Sequence, residues 1–331
     1  MNPECSIVVR TPADLIAVTP YLLGFHPADS IVVIGMAGRR VSFAGRHDLP
    51  PPGSDGVDWL APLVSRQPVE TIALLGFGPP DPVDRTIDTL GAALARGGLA
   101  VRDRLRITDG RWWCLDRPEP DCCPPDGHPV PSPHNPVAAA AIYQGQVALP
   151  DRAALAARVA SVEGDDRRRM AAATAEVSIR LGRFFAPGRS PEALLERAGH
   201  SAVRLGERTY AAGRSLTFDQ TAVLGALVAD ESVFDYALNR ISDEPWRVTQ
   251  WTEVTRRVEA PFVPGPAALL GYSAWRAGLG SLARVAVDRA LRHDPRHRFA
   301  WILDRLLAAG ISHEAVEDFT PPPVTLRGRS R

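Results

Sequence analysis

The sequence predicts an α/β domain with a mixed sheet and flanking helices, followed by an all-α domain of helical hairpins. Three observations carry that prediction. Apolar runs of strand length, such as Ile31–Ile34 and Ile72–Phe77, alternate with helical periods up to Leu149-Pro150. Asp109-Gly110 joins two further strand-like runs with a strong hairpin turn. From Asp151 onward only helical periods and helix-start signals follow.

The elements follow in chain order. Cys5–Val9 reads as a short first strand. Thr11 is a good N-cap, Pro12 suits the first helical position and Asp14 sits three residues on, where a carboxylate meets free N–H groups. Leu15, Val18 and Leu22 make one apolar face, and Gly24 ends the helix. His26-Pro-Ala-Asp29 is a turn, and Ser30 opens the strand of residues 30–35. A hairpin at Ala37–Arg40 leads into Val41–His47, and Leu49–Gly56 is a proline-rich loop. A helix near residues 57–66, a strand over Glu70–Phe77 and a long helix over residues 83–96, closed by Gly97-Gly98, come next. Leu99–Thr108 and Arg111–Leu115 read as paired strands. Residues 116–135 are too rich in proline for regular structure, and Asn135-Pro136 caps a short alanine helix ending at Gly145.

The second half starts helices at Ser190-Pro191, Thr217 with Gln220, Ser232, Pro245, Pro264-Gly-Pro266, Gly280-Ser281 and Asp294-Pro295. Glu176–Arg180 and Asp288–Arg292 are spaced to pair along exposed helix faces. Leu270, Gly271, Ala274, Ala283, Val287, Ala290 and Pro295 fall at tetratricopeptide offsets, where small residues let antiparallel helices approach. Leu224-Gly225 and Ala237 repeat those offsets earlier. The expected organisation is an α/β domain at 1–148, a helical domain at 150–318 and a disordered tail at 319–331.

Lys+Arg and Asp+Glu each total 38, so formal net charge is zero and neither nucleic acid nor an anionic membrane is the default partner. No lysine occurs, which excludes Schiff-base chemistry and the Walker-type phosphate loop. The absence of a leader-like segment, of a long apolar run and of a disulfide-dense pattern leads to the expectation of a cytoplasmic protein.

The run Pro12–Gly35, PADLIAVTPYLLGFHPADSIVVIG, resembles the opening signature of an actinobacterial family, domain-of-unknown-function family 4192. The cluster Cys114–Cys123 followed by Pro124-Pro-Asp-Gly127, and the run Leu269–Trp275 with Ala283 and Asp294-Pro295, are similar to it as well. The resemblance spans most of residues 5–310. It implies a bacterial cytoplasmic protein and brings no established activity with it.

Two constellations could carry chemistry. Cys114, Cys122, Cys123 and His128 offer thiolates and an imidazole to a zinc ion, with Asp116 or Asp121 as substitutes. Their spacing is unlike that of metal knuckles, and a buried Cys114 beside a Cys122-Cys123-Pro-Pro turn explains the same residues. Tyr21, His26, Asp29 and Ser30 gather at one turn as candidate ligand-binding residues, although Asp and Ser before a strand commonly bond their own backbone. Gly76-Phe-Gly78 sits where a phosphate loop belongs, but Pro79-Pro-Asp-Pro82 removes donors and adds negative charge. The leading function is therefore non-catalytic: a cytoplasmic interaction or regulatory protein whose helical half offers a protein partner an apolar groove lined from residues 217–310. The alternative is a small-molecule-binding protein or enzyme, with or without metal, using a cleft between the domains.

Overall fold

The structure, a computed structural model, describes residues 9–51, 56–116, 124–132, 135–143, 145–182 and 191–311, together with 313 and 316. The chain divides into two compact units, Met1–Arg158 and Val159–Arg331. Residues 151–158, which the composition groups with the helical half, cluster with the first unit. The reading of 319–331 as a tail lies outside the described residues, as does all but Val9 of the strand proposed over Cys5–Val9.

In the first unit, helix α1 (Pro12–Leu23) begins as the local chemistry requires. The Thr11 hydroxyl accepts from Asp14 N at 3.2 Å, and the Asp14 carboxylate accepts from Thr11 N at 3.0 Å, so two orphan donors are satisfied reciprocally. Gly24 takes φ 79° and stops the helix. The six strands are β1 (Ser30–Ala37), β2 (Arg40–Asp48), β3 (Thr71–Phe77), β4 (Ala100–Thr108), β5 (Arg111–Cys114) and β6 (His128–Pro129), with α2 (Ala61–Val64) and α3 (Pro80–Arg96) flanking β3 in sequence. They form one sheet in the order β2-β1-β3-β4-β5-β6. The β3–β4 pair, joined through α3, is parallel and every other neighbouring pair is antiparallel, which is the mixed sheet the sequence predicts.

Ile31, Val33, Ile72 and Leu74 pack against Val83, Ile87, Leu90 and Leu94 of α3. Each such side chain contributes about 1.5–3 kcal/mol by leaving water. A Cβ on Gly76 would collide with Val83 Cγ1, so this glycine is present for close helix–sheet approach. Gly78 spends its N–H on the Ile107 carbonyl at 3.1 Å, while its own carbonyl accepts from the Thr108 hydroxyl at 2.6 Å. The Gly76-Phe-Gly78 turn thus presents no phosphate cradle.

Strand β6 was not foreseen in the proline-rich stretch. Arg111 donates to the carbonyls of Asp126 and Gly127, and Trp113 Nε1 donates to that of Pro125 at 3.1 Å. These bonds fold the loop back so that His128 registers opposite Trp112. Helix α4 (Pro136–Tyr143) packs on α1, and the chain then returns beside Phe25, where His26 N donates to the Leu149 carbonyl at 2.9 Å. Helix α5 (Arg152–Ala157), capped by the Asp151 carboxylate, completes the unit.

The second unit holds α6 (Gly164–Gly182), α7 (Pro191–Ala211), α8 (Phe218–Leu227), α9 (Glu231–Leu238), α10 (Pro245–Arg257), α11 (Pro264–Arg276), α12 (Gly280–His293) and α13 (Arg298–Ala308), with no strand among its described residues. Thr217 and Gln220 form the expected capping box. Two start signals move: Asp230 rather than Ser232 caps α9, and the His297 ring rather than Asp294 caps α13. Helices α11 and α12 pack as a tight hairpin, and a Cβ on Gly271 would stand 2.9 Å from Val287 Cγ2 and 3.3 Å from Leu303 Cδ2. The proposed earlier counterpart differs, because α8 packs mainly on α6, α7 and α10, and Gly225 faces Val258. Of the residues expected to pair along helices, Arg180 pairs with Asp219 across α6 and α8, and Asp288 pairs along α12 with Arg284, while Arg292 Nε donates to the Asp288 carbonyl at 3.2 Å.

Candidate functional site

Within the helical unit, a groove of about 360 Å³ opens between the start of α9, the 3-10 turn Ala260–Phe262, the start of α11 and the connection from α12 into α13. Local sequence explains its shape. Gly265 lets the first turn of α11 approach Val228, where a Cβ would meet Cγ1 at 3.0 Å and the carbonyl oxygen at 3.1 Å. Pro261 and Pro264 stiffen the wall that carries Phe262. Phe234 and Phe299, both buried, form the floor with ring centroids 5.6 Å apart, and Ile302 extends it.

The rim is charged. Glu231 and Asp235 project from successive turns of α9, and Arg298 bears on Asp235 from α13. Burial, reinforced by Glu231, raises the Asp235 carboxyl above its ordinary value, and Arg298 opposes the rise. His297 stands edge-on to Phe234 at 5.3 Å and uses Nδ1 to accept from Ala300 N at 3.2 Å. Burial holds its pKa below 6.5, with Asp294 pulling the other way. A ring that accepts through Nδ1 is neutral and carries its proton on Nε2. No hydroxyl, thiol or amine side chain lines the groove, so it supplies no nucleophile of those kinds.

The sequence-derived candidates lie elsewhere, in the first unit. Tyr21 is half-buried on α1, His26 and Asp29 are exposed in the turn, and Ser30 is buried at the start of β1. No hydrogen bond joins any two of these four among the described residues. Asp29 adopts φ 45°, and its carbonyl accepts from Leu49 N at 2.9 Å, a turn-building role. Cys114 lies half-buried in β5 opposite Leu105, and His128 stacks on Trp112 at 4.5 Å. Cys122 and Cys123 fall outside the described residues, and among the described residues no group of three or more acidic, histidine or cysteine side chains could hold a metal.

Sequence reasoning placed a groove in residues 217–310 but named none of its side chains. The missed signals were Pro261–Pro266, whose prolines and glycine shape the wall, and His297, hidden as a cap behind Asp294-Pro295.

The chain thus joins an α/β unit to a helical unit that carries an apolar groove with a charged rim. The chain belongs to the family described as domain of unknown function (DUF4192), whose model matches residues 12–314. No curated protein and no solved structure matches the chain. No helix among the described residues is long and apolar enough to cross a membrane.

Proposed function

We propose that this chain is a non-catalytic recognition protein of the bacterial cytoplasm, whose helical unit seats one large apolar side chain of a peptide segment from a protein partner. The observation that carries the reading is the groove itself: an aromatic and proline floor with acidic residues on one side and arginines on the other. A volume near the lower end of ligand pockets suits a single anchor group better than a whole helix. The paired charges of the rim, Glu231 and Asp235 against Arg296 and Arg298, would orient a peptide backbone and its flanking charges. Regulation by such a protein would consist of occupying the partner's segment.

Selection of peptides from a random displayed library on the full chain tests this, followed by fluorescence anisotropy with Ile302→Arg and Ala229→Trp. Enriched peptides should share an aromatic or branched aliphatic anchor, and both variants should weaken them about tenfold or more, the loss expected for a blocked apolar pocket. Peptides lacking an anchor, or affinities unchanged in both variants, would overturn the reading. A small apolar dye that binds the groove while no peptide is enriched would also count against it, in favour of a small-molecule site.

A further inference from the structure

Separate from the groove, we infer that the helical unit carries a binding site for a phosphate-type oxyanion of a small molecule, centred on Arg289 of α12. Arg289 is 6% exposed. Its guanidinium makes one good hydrogen bond, to the Ser161 hydroxyl at 2.9 Å, and one long contact, to the Thr255 carbonyl at 3.5 Å. Its Nε meets no acceptor on the protein, and the hydroxyl of the fully buried Thr255 is equally without a partner. Among the described residues no carboxylate forms an ion pair with it or acts on its charge. The charges that act on Arg289 are those of Arg292, Arg167 and Arg256, all of the same sign, and together with burial they lower its pKa.

This arrangement is costly without a counter-charge. A buried cation is ordinarily paired, and arginine cannot shed its proton to escape the cost as lysine can. Among the described residues the carboxylate bonded to the cluster, that of Glu259, is held by Arg167 at 3.1 Å. Helix C-termini account for Arg256 and Arg292, which sit in the last turns of α10 and α12, but not for Arg289 one turn deeper. The cluster is also held in place. Arg256 Nε donates to the Ala160 carbonyl at 3.3 Å, and Val162 N donates to the Arg256 carbonyl at 2.9 Å, which binds residues 160–162 against the end of α10. His293 joins the same field, its pKa lowered by burial and by Arg289 and Arg292. The Arg289 guanidinium beside the Ser161 and Thr255 hydroxyls, in the field of three further arginines, offers donors of the kind that a tetrahedral oxyanion accepts.

The test uses the full chain in phosphate-free buffer, titrated with inorganic phosphate and pyrophosphate at ionic strength matched with chloride, and read by calorimetry and thermal melting. Saturable binding and a rise in Tm that chloride does not reproduce are expected. Arg256→Gln and Arg292→Gln, both on accessible side chains, should each weaken binding about tenfold, the loss of one charge-assisted contact. Arg289→Met should abolish binding while leaving the phosphate-free Tm unchanged or higher, because it removes an uncompensated charge. A lower phosphate-free Tm in Arg289→Met together with an unaltered anion response would mean a purely structural arginine and overturn the inference. So would equal responses to chloride and phosphate, or affinities unaffected in the Arg256 and Arg292 variants. Vesicles of phosphatidylcholine with and without phosphatidate identify the source: retention on phosphatidate vesicles that exceeds the inorganic phosphate response overturns a small-molecule ligand, and its absence upholds one.

Discussion

The two units bury different things. Around the sheet, the buried polar residues among those described are Thr19, Ser30 and Thr86, all uncharged, and the ion pairs, such as Arg46–Asp48 and Arg106–Asp84, each keep part of a side chain in solvent. In the helical unit, Glu207, Arg247 and Arg289 are all buried. Glu207 accepts from Arg240 at 2.6 Å and from Arg247 at 3.0 Å, and Arg247 in turn reaches Glu244 at 3.0 Å. A sheet filled by branched aliphatic residues needs no such network. Ionic groups inside the helical unit are expensive unless paired, so each one left unpaired points to chemistry beyond packing.

The largest expected effect attacks that contrast directly. Glu207→Gln removes the shared anion from two arginines and should cost about 3–5 kcal/mol in urea unfolding, whereas Asp48→Ala, an exposed carboxylate at the end of β2, should cost about 0–1 kcal/mol. Similar losses from the two would erase the distinction. Next in size, Gly271→Ala inserts a methyl group where three helices meet, and overpacking should cost about 1–3 kcal/mol, visible as a lower denaturant midpoint at constant m-value. The capping boxes give a matched pair: Thr11→Ala and Thr217→Ala should each cost about 1 kcal/mol, since in either unit the N3 backbone N–H loses its hydroxyl acceptor while the reciprocal backbone bond remains. Unequal losses would reveal that tertiary packing, not local capping, holds one of the two helices.

The smallest effect concerns pH. His297 is neutral in the fold, with a pKa below its ordinary 6.5. Above that value both folded and unfolded states are neutral. As pH falls through about 6.5 the unfolded chain takes the proton first, so stability is lost from there down toward the folded pKa. His293, shifted the same way, adds to the slope. His297→Asn keeps a good N-cap and should flatten the stability profile between about pH 7 and pH 5 relative to the parent. An unchanged slope would show that the ring does not titrate in this way.

What could be read in advance follows from the range of the interactions. Strands β1, β3, β4 and β5 and helices α1 and α3 were legible, because an apolar run, a cap and a turn signal each act within a few residues. Strand β6 was not, because Arg111 and Trp113 hold it through carbonyls of a loop that composition marks as irregular. The expected Glu176–Arg180 pair failed for the same reason. Arg180 finds Asp219 on another helix, and spacing along its own helix contains no trace of that. The groove was legible as a region and not as residues, since Phe234, Phe262 and Phe299 converge only through tertiary packing. Arg289 was invisible in a chain whose every strong base is arginine; only its burial and its like-charged neighbours set it apart.

The strand order also bears on how the chain folds. Neighbouring strands in the sheet are consecutive in the chain except β1 and β3, which pair across the single intervening strand β2. Closing these contacts costs little loop entropy, so the sheet can nucleate from residues 30–129 while the helical part of a nascent chain is still being synthesised. Pulse-labelled hydrogen exchange should accordingly find amides of β1 and β3 protected among the earliest.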